Sequence, residues 1–170
     1  MASNVLVIGL VSVAALAVWW DLRERRIPNA LTLAGCGAAL LLRATQGLEP
    51  LGAGVVGLLL GLGLALPLVV AGGLGGGDAK LLAAVGAFLG PANLLVAALI
   101  TALAGGLLAM VAAVRNGALR ETALHAGSLV LSLFGRGGRL PRRTLDTAGA
   151  LTIPYAVPIA VGALTAAWLA

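Results

Sequence analysis

The stretch 51–72, LGAGVVGLLLGLGLALPLVVAG, carries no charge over 22 residues. A helix rises about 1.5 Å per residue, so this one would reach about 33 Å, enough to cross a bilayer's hydrocarbon core. Its apolar residues run continuously instead of alternating, which reads as a membrane helix and not as a barrel strand. Pro67 predicts a kink near its end. The whole chain follows suit: of 170 residues, 61% are hydrophobic and 10% charged, with a mean hydropathy of +1.08. Soluble domains are about 45–50% apolar and about 25% charged, so most of this surface must face lipid. The 25 glycines fit helices packed closely in a bilayer, where small residues let backbones approach.

Five more segments read as spans, at 4–20, 30–45, 79–91, 92–114 and 149–170. The expectation is an all-α membrane protein, a single embedded domain over 1–170 with about six transmembrane helices. The apolar part of the fourth segment, Ala79–Leu89, is short; at about 1.5 Å per residue it covers only about 17 Å. It is either a re-entrant half-helix or a full span extended through its flanks. Charge favours six spans. The loops at 21–29, 73–80 and 115–148 then share one side and hold ten of the eleven Lys and Arg residues, leaving Arg43 opposite. By the positive-inside rule that side is the cytoplasm, and both termini lie outside it.

The same count explains the net charge of +5. The arginines flank apolar segments and form no basic face for nucleic acid, so the lipid bilayer is the expected partner. In the loop 115–148, Glu121, His125, Ser128 and Ser132 recur on one helical face and Leu119, Ala123, Val130 and Leu133 on another. That pattern predicts an amphipathic helix on the cytoplasmic surface, followed by a flexible basic linker at 135–139. The single cysteine, Cys36, excludes an internal disulfide and a paired-cysteine zinc site. The apolar N-terminus lacks a basic leader region and reads as a first span, not as a cleaved signal peptide. Gly57 and Gly61 form a GxxxG, a spacing frequent by chance in so glycine-rich a chain.

Two carboxylates stand where burial is costly: Asp21, directly after Trp20 at the end of the first span, and Asp78, between a glycine run and the fourth segment. Both map to the cytoplasmic side. Two carboxylates in one site share a proton, because ionising one hinders the other. The ionised member can then take a proton from an attacking water while its partner protonates the carbonyl, which is aspartic-protease chemistry without a metal or cofactor. The glycines of 72–77 permit close approach of another backbone, such as an extended peptide. Plainer roles stand beside these. Asp21 sits at i,i+4 to Arg25, Asp78 is a good helix N-cap, and Lys80 is a positive-inside anchor or a charge that lowers the Asp78 pKa. Asp146 and His125 read as interfacial or surface polar residues.

The segment DLRERRIPN (21–29) resembles the first-aspartate motif of the type IV prepilin peptidases, and GGGDAK (75–80) is similar to their GxGD motif. The continuation to Gly90 and the run Ile153-Pro154-Tyr155 with Pro158 also resemble that family, in the same order along the chain. The resemblance implies a membrane aspartic endopeptidase with Asp21 and Asp78 as catalytic residues and Gly75, Gly77, Lys80, Pro28 and Asn29 shaping the site. It implies no cofactor. Its substrate would be a pilin-like precursor whose basic leader is cut on the cytoplasmic face of a bacterial inner membrane. With one cysteine and a start at the first span, the chain resembles the short branch associated with Flp (tight adherence) pili, for which N-methylation is not expected. The presenilin-like GxGD proteases place Tyr before their first Asp, where this chain has Trp20. From another class, a small cation transporter could use the same carboxylates, but the spans offer few polar side chains to line a path.

Overall fold

A computed structural model of the chain describes residues 2–117, 127 and 154–170. Six helices and no strand occur among the described residues: α1 Ala2–Glu24, α2 Asn29–Ala44, α3 Leu48–Val70, α4 Gly76–Leu89, α5 Pro91–Arg115 and α6 Ala156–Leu169. The amphipathic surface helix, the basic linker, Asp146 and the first residues of the last segment lie outside the described residues.

The sequence predicts six spans; by length and composition, three helices can cross a membrane, α1, α3 and α5. α2 and α6 are apolar but shorter, with 16 and 14 residues. α4 also has 14 residues, about 21 Å of helix. Its shortness has a packing cause. Every residue from Leu81 to Phe88 is buried, and α4 packs against all five of the other helices. Enclosed by protein instead of lipid, α4 does not take its length from bilayer thickness.

The closest packing is between α3 and α4, and glycine makes it possible. Gly54, Gly57, Gly61 and Ala65 form a buried stripe on α3 at helical spacing. A methyl added at Gly61 would lie 2.6 Å from the Leu82 carbonyl oxygen, and one at Gly57 would lie 2.9 Å from the carbonyl carbon of Gly86. Gly86 faces Gly57 in turn. The GxxxG that chance alone could account for is therefore the contact surface for the central helix. α3 runs on through Pro67 to Val70. It ends in a Schellman turn: Gly72, at φ +80°, donates its N–H to Val69 O at 3.0 Å, and Gly73 donates to Leu68 O at 2.9 Å.

At the other end of α4 the last carbonyls need partners. Arg43 supplies them: Nε donates to Ala87 O (2.8 Å) and one terminal nitrogen to Phe88 O (2.8 Å). Its other terminal nitrogen donates to Pro50 O at 3.1 Å, which ties α2, α3 and α4 together. The one basic residue assigned to the far side thus lies at the end of the bundle away from Asp78.

Candidate active site

Asp21 reaches the bundle interior because it continues a helical stripe. Leu10, Ala14 and Ala17 are buried on α1 at spacings of four and three, and Asp21 follows at four. It is 8% exposed, which makes it a buried carboxylate on an otherwise apolar face. Its Oδ2 accepts the Ala156 N–H at 3.0 Å. Ala156 is the first residue of α6, so Asp21 caps that helix from a distance and its charge meets the positive end of the helix dipole.

Asp78 lies in the first turn of α4. Gly75, not Asp78, occupies the N-cap position, with extended geometry at φ −74° and ψ 148°. Asp78 is the third helical residue, and its carboxylate folds back to the Gly75 backbone N–H, as in one half of a capping box. A side chain at Gly75 would lie 2.9 Å from Asp78 Oδ2, so this glycine clears the space the carboxylate fills. Gly77 has a different reason. A Cβ there would sit 3.3 Å from Cβ of Ile27 and 3.6 Å from its carbonyl oxygen. The backbone that approaches Gly77 is the chain's own Ile27-Pro28-Asn29 segment, where the sequence also allowed a bound peptide.

The two motif segments are joined a second time: Lys80 Nζ donates to Asn29 Oδ1 at 2.7 Å. Lys80 therefore acts as a tie between α4 and the start of α2. The acidity of Asp78 is set by other groups. Burial pushes its carboxyl up to about 6, the nearby Asp21 charge adds to this, and the Gly75 hydrogen bond opposes both.

Asp21 and Asp78 line one cavity of about 720 Å³ at the end of the bundle. Gly75, Gly77, Pro28 and Asn29 form part of its wall, along with Glu24, Arg25 and Arg26. α1 ends at Glu24, and Arg25 at φ +54° turns the chain toward Ile27 and α2. Tyr155 also lines the cavity. In the sequence it stands in the run Ile153-Pro154-Tyr155 with no role assigned, and it is the only tyrosine in the chain. A lone phenol beside a proline at the start of an apolar helix is the signal that was available.

An apolar helical bundle with two carboxylates facing one cavity at its end has the form of a membrane protein with groups capable of acid–base work. The chain belongs to the type IV leader peptidase family, whose model matches residues 8–110, a range that takes in both aspartates. It is accordingly a protease, of the aspartic type found in this family, and an integral membrane protein. No curated protein and no solved structure matches the chain.

Proposed function

We propose that the chain is a membrane-embedded aspartic endopeptidase that removes the basic leader of pilin-like precursors, with Asp21 and Asp78 as its catalytic pair. The observation that carries this reading is the shared cavity, in which the charge of one aspartate raises the pKa of the other. Asp21, held by the α6 N-terminus, acts as the ionised member. It takes a proton from water as the water oxygen attacks the scissile carbonyl carbon. Asp78, protonated, gives its proton to the carbonyl oxygen, producing a neutral diol. Collapse returns the diol proton to Asp78 and sends the Asp21 proton to the leaving nitrogen as the C–N bond breaks. Both carboxyls end as they began, with no covalent intermediate.

Gly75, Gly77, Pro28 and Asn29 shape the wall, and Lys80 holds it through Asn29. Glu24 on the same wall offsets Arg25 and Arg26 for a basic leader. In this reading the helices cross the bilayer six times, α2 and α6 as short spans and α4 shielded by the others. The cavity opens to the cytoplasm, a side that the arginine-rich loops favour by the positive-inside rule, and the termini lie outside. Trp19, half exposed with Arg23 stacked 5.2 Å from its ring centroid, marks the cytoplasmic interface. The test is co-expression with a pilin-like precursor. Asp21→Asn and Asp78→Asn should each leave the precursor uncut while the protein still inserts; cleavage by either variant overturns the pair.

A further inference from the structure

The cavity also holds the Tyr155 phenol, a group able to donate a hydrogen bond. Its ring lies beside Gly105, and the backbone that follows it is held in place. The Cβ position of Gly105 on α5 lies 3.3 Å from its Cε1 and 3.7 Å from its Cζ, and the next residue, Ala156, is anchored by Asp21 Oδ2. The side chain is partly buried and packs against the apolar core. Its hydroxyl makes no hydrogen bond among the described residues, and the residue lines the cavity. The phenol is close enough to Asp78 for that carboxylate to act on it electrostatically. A partly buried ring, a free donor and a place in the same cavity as both carboxylates are what a preorganised donor to a reacting oxygen needs.

We infer that Tyr155 is a third catalytic residue, whose hydroxyl donates a hydrogen bond to the oxygen of the peptide carbonyl under attack. The inference rests on the peptidase reading above. The bond strengthens as charge develops on that oxygen during attack, so it lowers the barrier more than it tightens substrate binding. Tyr155 itself neither gains nor loses a proton; the proton inventory of the two aspartates is unchanged.

The experiment uses the full-length chain in nanodiscs and a synthetic peptide spanning a pilin-like leader junction. Tyr155→Phe keeps the ring against Gly105 and removes only the hydroxyl. It should lower kcat by about a hundredfold to a thousandfold with KM changed less than about twofold, the pattern of a lost transition-state donor. A kcat within about twofold of wild type overturns the inference while leaving the peptidase reading intact. A wild-type chain that does not cut the peptide overturns both. Because the chain has one tyrosine, growth on 3-fluorotyrosine labels this position alone and gives a readout that needs no substitution. The fluorine resonance should move when an uncleavable analogue of the peptide is added. A resonance that stays put while the analogue inhibits cleavage refutes contact with substrate.

Discussion

Replacing Gly86 by alanine adds one methyl at the point where the central helix meets α3. Built on the backbone, that methyl collides with the Gly57 carbonyl, lying 2.7 Å from its carbon and 2.9 Å from Cδ2 of Leu94. Carbon atoms rest at about 3.5–4.0 Å, so the two backbones must part by about 1 Å. The Gly57 carbonyl is backbone and cannot rotate out of the way as a side chain would. Overpacking of this kind costs about 1–3 kcal/mol, well above the gain of up to about 1 kcal/mol from alanine's better helix propensity. The displaced helix carries Asp78 in its first turn, and a misplacement of about 1 Å at a reacting group costs on the order of a hundredfold in rate. Gly63→Ala is the control on the neighbouring helix, since nothing lies within 4 Å of its Cβ position. Thermal unfolding in detergent and precursor cleavage should both separate the two variants, with Gly86→Ala impaired and Gly63→Ala equal to wild type or slightly more stable. Equal melting temperatures and equal rates would refute the claim that α4 is seated through glycine contacts.

Three further outcomes are expected. Arg43→Met leaves the Ala87 and Phe88 carbonyls without their donor, and hydrogen bonds from charged groups are worth about 1.5–3 kcal/mol each, so unfolding in detergent should come several degrees earlier; an unchanged melting point would show that the clamp is idle. Asp78→Asn should stabilise the fold while destroying activity. The folded-state pKa of about 6 lies above the ordinary 3.8, so the native chain holds a proton the unfolded chain releases, and stability falls as pH rises from about 4 through 6. Above pH 7 the neutral amide should regain on the order of 2–3 kcal/mol and flatten that pH dependence, and chemical unfolding at pH 5 and 7.5 measures it. Lys80→Met removes a hydrogen bond made at an exposed position; it should cost under about 1 kcal/mol of stability but loosen Asn29 at the cavity wall, seen as a raised KM, and an unaltered KM would assign Lys80 to charge alone.

How much of this was legible in the sequence differs from residue to residue. Asp21 and Asp78 fall at one end of the bundle, as counting arginines placed them, because helix direction alternates and loop charge records sides. The helix limits follow from continuous apolar runs punctuated by Pro28, Gly47, the glycines of 72–77 and the Gly90-Pro91 pair, all local signals. The role of α4 was not legible. A short apolar segment has the same sequence whether it half-enters a bilayer or lies buried on every side, and only its neighbours distinguish the two. The meaning of Gly57 and Gly61 depends on the backbone of Gly86 and of Leu82, partners 29 and 21 residues away. Asp78 as third helical residue and not as N-cap turns on where the helix begins, one of the least certain points in any sequence reading. Arg43 reads as a lone charge within an apolar run until the carbonyls it meets are known.

In the proposed mechanism Asp78 must hold a proton, next to an ionised Asp21, for the peptide bond to break. The dependence of kcat/KM on pH for the wild-type chain in nanodiscs reports the free enzyme's groups directly. With the Asp78 carboxyl at about 6, its protonated fraction falls from about half at pH 6 to about a hundredth at pH 8. A decline in kcat/KM on the order of fiftyfold is expected across that interval. A profile flat from pH 6 to 8 would contradict it.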